Sequence, residues 1–131
     1  MKYISAEQFS KQSKEVQKVF KDYFNLKPCL YEDIYSRVHY TDSITTKYFI
    51  PLLTEGELRE FIEDKMNCIM DIDANIDSGY SLYLYFLEFD EFSKESRFAS
   101  KIKIYEDLGK DLFQAYWKVA CEVAKDSLKI N

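Results

Sequence analysis

Histidine occurs once in the 131 residues, as His39, and proline and glycine are nearly as scarce, at two and three. A single histidine leaves nothing from which to build a histidine-rich metal site, and the chain shows no nucleophile elbow of the GxSxG kind. The three glycines, Gly56, Gly79 and Gly109, lie far apart, so no phosphate-cradling loop can form. Cysteine stands only at Cys29, Cys68 and Cys121, widely spaced and without a CxxC pair. That pattern predicts buried thiols in a reducing compartment rather than a disulfide framework or a zinc site. The longest apolar runs fall far short of a membrane span, and "MKYISAEQFSKQSKE" lacks the apolar core of a signal peptide. These absences predict a protein that is not an enzyme, holds no cofactor or metal, contacts no membrane and works in the cytoplasm. Carboxylate pairs are plentiful, and the residue types still permit a metal nuclease made of carboxylates alone.

What is present is a core and a charge pattern. With 47% hydrophobic and 31% charged residues, the chain has the composition of one folded domain over 1–131, not of a disordered linker. Eleven tyrosines and ten phenylalanines supply rings suited to half-wet faces. The net charge of −5 is unevenly spread. Residues 1–54 carry eight basic and six acidic side chains, residues 55–95 three and twelve, and residues 96–131 seven and five. The acidic middle argues against direct nucleic-acid binding and suits a partner with a basic surface.

Local patterns give the elements. "SAEQFSKQSKEVQKVFKDYF" places Ser5 and Gln8 in capping-box positions before apolar residues at helical spacing, predicting a helix over 6–25. "EDIYSRVHYTDSITTKYFI" alternates, predicting a hairpin with strands near 33–39 and 45–50 and a turn at "TDS". In "PLLTEGELREFIEDKMN", Thr54 and Glu57 can cap each other's amides, starting a helix whose inner stripe is Leu58, Phe61, Ile62 and Met66. Glu57, Glu60 and Asp64 fall on the opposite side as a carboxylate stripe, which is either a docking surface or a solvated face.

The stretch "DIDANIDSG" offers Asp71, Asp73, Asn75 and Asp77 at every second position, as the start of a calcium loop would. Such a loop needs glycine at its sixth position and a bidentate glutamate at its twelfth, where this chain has Ile76 and Leu82. The alternation of Met70, Ile72, Ala74 and Ile76 with the polar set instead predicts a half-buried strand, with Gly79 ending the turn. Strands near 80–88 and 101–105 complete a meander. Leu82, Leu84 and Phe86 are expected inside, with Ile102 and Ile104. The expected outer face shows an Asp row (Asp71, Asp73), a Tyr row (Tyr83, Tyr85) and a Lys row (Lys101, Lys103). The Tyr row is a further candidate platform for a partner.

"EDLGKDLFQAYWKVACEVAKDSLK" predicts a long helix with two apolar stripes. The second stripe, with Phe113 and Trp117, either packs within the chain or forms a homodimer contact. The fold class expected is α+β: an antiparallel sheet, made of a hairpin plus a three-stranded meander, packed with three main helices.

"MKYISAEQF", "IPLLTEGELREFIEDK" and "AYWKVACEVAK" resemble small accessory proteins encoded by phages and prophages of clostridia and related Gram-positive bacteria. The resemblance implies a setting, the host bacterial cytoplasm, and brings no functional residues with it. In that setting one reading is an inhibitor of a host defence system, anti-CRISPR or similar, acting through Glu57, Glu60, Asp64, Asp71 and Asp73. Others are a module binding a nucleotide signal on Tyr83 and Tyr85, and a dimerising phage structural or regulatory protein.

Overall fold

Ser5 opens the first element: its hydroxyl accepts from the Gln8 amide at 3.2 Å and starts α1, Ala6–Ser10. The computed structural model describes residues 2–25, 29–33, 35–41, 50–90 and 95–129. The single helix expected over 6–25 is two, because Ser13 is itself an N-cap, accepting from the Val16 amide at 3.2 Å to start α2, Lys14–Phe24. The buried Gln17 secures the break, donating to the carbonyls of Ser10 at 3.3 Å and Gln12 at 2.8 Å. Carbonyls left over where a helix ends are thereby satisfied.

Ten elements follow in the order α1, α2, β1 (Cys29–Glu32), β2 (Val38–Thr41), β3 (Ile50–Leu52), α3 (Glu55–Met66), β4 (Cys68–Asn75), β5 (Gly79–Asp90), β6 (Glu95–Tyr105) and α4 (Leu112–Leu128). The fold is α+β, with four helices and two three-stranded antiparallel sheets among the described residues, ordered β2-β1-β3 and β4-β5-β6. Contacts divide the chain into two compact units, Met1–Leu58 with Ala124–Asn131, and Arg59–Val123.

In the first unit α1 and α2 pack on β3, and Ile4, Phe9, Val16, Phe20, Phe24, Tyr31, Leu52 and Leu53 are buried. The Tyr31 hydroxyl donates to the Phe24 carbonyl at 2.8 Å, so burying the ring strands no polar atom. Pro51 sits in β3, an edge strand, where a missing N–H costs no ladder bond. The strand expected over 33–39 is a correction: its last two residues, Val38 and His39, belong to β2, and a turn occupies its centre. Asp33 makes that turn, its Oδ1 accepting from the amides of Tyr35 and Arg37 at 2.9 Å each, with Ser36 at φ 61°. Of the expected strand at 45–50 only Ile50 belongs to a described element, β3; residues 45–49, like most of the "TDS" turn, lie outside the described residues.

In the second unit the meander is present. Asn75 accepts from the amides of Asp77 at 2.8 Å and Ser78 at 3.4 Å to shape the β4–β5 turn, which Gly79 closes at φ 87°. Ile76, expected inside, is at the turn and 91% exposed. β6 runs over Glu95–Tyr105, longer at its start than the strand expected near 101–105. The last helix starts at Leu112 rather than near 106. Asp111 caps it, accepting from the Gln114 amide at 3.1 Å. Before it runs a strap: Leu108 donates to the Tyr80 carbonyl at 3.0 Å, and Tyr80 to that of Gly109 at 2.8 Å. Lys118 on α4 donates to the Leu108 carbonyl at 3.1 Å, tying strap to helix.

Candidate functional site

Antiparallel partners share a face of the sheet, so register decides which side chains meet. In β4-β5-β6 the pairs Cys68↔Phe86, Met70↔Leu84 and Ile72↔Leu82 lie on one face, where Cys68, Met70, Leu82 and Leu84 are buried. The pairs Ile69↔Tyr85, Asp71↔Tyr83 and Asp73↔Ser81 lie on the other. There Asp71 and Asp73 are exposed and Tyr83 and Tyr85 half-buried, as the meander reading expects.

The third row differs. Ile104 pairs with Tyr83 and Lys103 with Leu84, so Ile104 takes the open face and Lys103 the buried one. The expected Lys row beside the Tyr row is therefore corrected at Lys103, and Ile104 is 43% exposed instead of inside. The lysine is accommodated there with its ammonium over the Tyr105 ring, 5.2 Å from the centroid.

The open face is consequently apolar, aromatic and acidic at once. Ile69, 41% exposed, and Ile104 flank the two tyrosines, and the aspartates stand about 6.6 Å apart along β4. Asp71 accepts from the Ile72 amide at 2.9 Å through Oδ1. No basic side chain belongs to this face among its described residues. Sequence reasoning missed Ile69 and Ile104 as parts of the site; the signal was an isoleucine out of phase with the Met70–Ile72 alternation.

Within the second unit, the acidic candidates Glu60 and Asp64 do not join this face. Glu57 is committed to the cap of α3, its Oε1 accepting from the Thr54 amide at 3.0 Å and hydroxyl at 2.9 Å. Glu60 and Asp64 are exposed on α3. The Cys68 thiol, on the buried face, reaches the Ile62 carbonyl at 4.0 Å, which puts the end of α3 on that side of the sheet. The acidic middle is thus two separate surfaces. Phe113 and Trp117 are each 5% exposed, which favours packing within the chain, the first of the two readings of this stripe.

Asp33 and Cys68 are among the described titratable positions perturbed for structural reasons. Desolvation works to raise the Asp33 carboxyl, but hydrogen bonds from His39 at 2.8 Å, from the amides of Arg37 and Tyr35, and from the Arg37 guanidinium at 2.9 Å outweigh it. They hold it well below the usual carboxylate range. The one histidine thus serves to order a hairpin. Burial first, and the Glu63 charge second, push the Cys68 thiol up to about 11. No group of three or more side chains able to hold a metal ion occurs among the described residues. No helix among them is long and apolar enough to cross a membrane.

Comparison of the chain with protein-family models, with curated proteins and with solved structures gives no match.

Proposed function

We propose that this chain is a non-enzymatic binding protein whose open β4-β5-β6 face docks a partner protein with a basic surface. The observation that carries the reading is that Asp71 and Asp73 stand beside Tyr83, Tyr85, Ile69 and Ile104 with no cation on the described part of that face. A half-exposed apolar centre with like charges along one side suits an interface more than a solvated wall. Together with the resemblance to phage-borne accessory proteins, it favours an inhibitor of a host defence protein, acting in the bacterial cytoplasm. The nucleotide alternative fits less well, because phosphates stacked over Tyr83 or Tyr85 would meet two carboxylates.

The test is capture from a clostridial lysate at low and high salt with the tagged chain, with Asp71→Lys/Asp73→Lys and with Glu60→Lys/Asp64→Lys. A basic protein retained by the wild type and the α3 variant, and lost by the β4 variant and at high salt, is the expected result. Equal retention by the β4 variant overturns the reading.

A further inference from the structure

We infer that the open face takes an arginine side chain of the partner, its guanidinium laid on the Tyr83 ring and hydrogen-bonded to Asp73 and Asp71. The inference rests on the proposed docking role of this face and adds the chemistry of the contact.

Register supplies the geometry. Asp71 is directly across from Tyr83, and Asp73 directly across from Ser81. Ser81 is a short side chain in that part of the face. Asp73 bounds it across the ladder, and Tyr83 lies two residues along β5. Tyr83 is in turn diagonal to Asp73, within reach of a side chain bridging the two. A planar cation on the tyrosine would point its edge N–H groups at the carboxylates. Asp73 has both oxygens available for a forked pair, whereas Asp71 has one already engaged by the Ile72 amide. On the far side of Tyr83, the half-exposed Ile104 offers a wall for the methylenes of the stem.

Charge and shape choose the occupant. With two carboxylates and no described base on the face, a second copy of this chain meeting it through the same surface would set acids against acids. A lysine would satisfy the charge, but its compact ammonium makes no fork and stacks less well on a ring. A guanidinium uses the aromatic face and the carboxylates together.

The experiment is an amide-shift titration of the isotope-labelled full chain with two probes, acetylated hexa-arginine and hexa-lysine amides, at one low ionic strength. Wild type is compared with Asp73→Asn and Tyr83→Leu after checking that both unfold near wild type. Hexa-arginine should bind about tenfold tighter than hexa-lysine, with shifts centred on residues 71, 73, 81 and 83. Tyr83→Leu should abolish the preference while leaving hexa-lysine binding nearly unchanged, and Asp73→Asn should weaken both probes. Equal affinities at this face overturn the arginine inference and leave the basic-partner reading standing. Shifts centred on Glu60 and Asp64 instead, or no binding of either probe, overturn the docking face and the inference with it.

Discussion

Replacing Gly79 by alanine tests how the second unit is closed. Gly79 has φ 87°, a left-handed conformation that costs an L-residue about 1–2 kcal/mol. An alanine Cβ would also run into the backbone carbonyl of Gly109. That carbonyl cannot retreat freely, because Gly109 accepts from the Tyr80 amide at 2.8 Å and the neighbouring Leu108 is bonded to Tyr80 and to Lys118. Overpacking of this kind adds about 1–3 kcal/mol, for a total of about 2–5 kcal/mol. Gly56 provides the control: it lies in the first turn of α3, and a Cβ there meets nothing within 4 Å. The same methyl group at Gly56 should stabilise by up to about 1 kcal/mol. Urea unfolding measures both, and amide exchange at Tyr80 and Leu108 reports whether the strap has lifted. A Gly79→Ala variant within about 0.5 kcal/mol of the wild type would refute the argument.

Three further outcomes follow from the buried and titrating groups. The carboxyl of Asp33 is depressed in the folded state, so its contribution is present above the ordinary value of 3.8 and lost as pH falls below it. The stability gap between wild type and Asp33→Asn should therefore narrow as pH falls below that point, as followed by denaturant midpoints. A gap that opens below that point contradicts the sign. For Cys68, a shift from 9.0 to about 11 makes the native thiolate about a hundredfold scarcer than an ordinary one at pH 8. Iodoacetamide should label it slowly until urea is added, and stability should decline as pH rises from 9.0 toward 11. Trp117→Ala should cost about 3–5 kcal/mol without altering the molecular mass measured by light scattering. A fall in mass with stability retained would instead assign Trp117 to a dimer contact.

The parts of the fold that were legible in the sequence are those decided locally. Thr54 and Glu57 cap α3 as their spacing required, and Leu58, Phe61 and Ile62 are fully buried on its inner stripe. The β4–β5 turn was legible for the same reason, since a positive φ favours glycine. Errors arose where a side chain reaches beyond its neighbours. Nothing in the alternation of "EDIYSRVH" says that Asp33 will gather two amides, a guanidinium and an imidazole, turning a strand into a hairpin tip. In "SAEQFSKQSKEV" two serines can each cap a helix, and helical periodicity alone runs straight through the second.

The candidate site was half legible, and the missing half changes its chemistry. "KIKIY" reads equally well with isoleucine or lysine toward the core, because the period of a strand is two and a slip of one residue exchanges the faces. Only pairing with β5 settles it, through Tyr83↔Ile104 and Leu84↔Lys103. With lysines beside the tyrosines, Asp71 and Asp73 would have found their counter-charges within the sheet, and the face would have been self-neutralised. With Ile104 there, the tyrosines gain an apolar flank and the aspartates keep their charge for something outside the described face. Restoring the expected row with Ile104→Lys should therefore compete with any basic partner for Asp71 and weaken its capture, while costing little stability at a position 43% exposed. Undiminished capture by Ile104→Lys would mean that the partner does not use this part of the sheet.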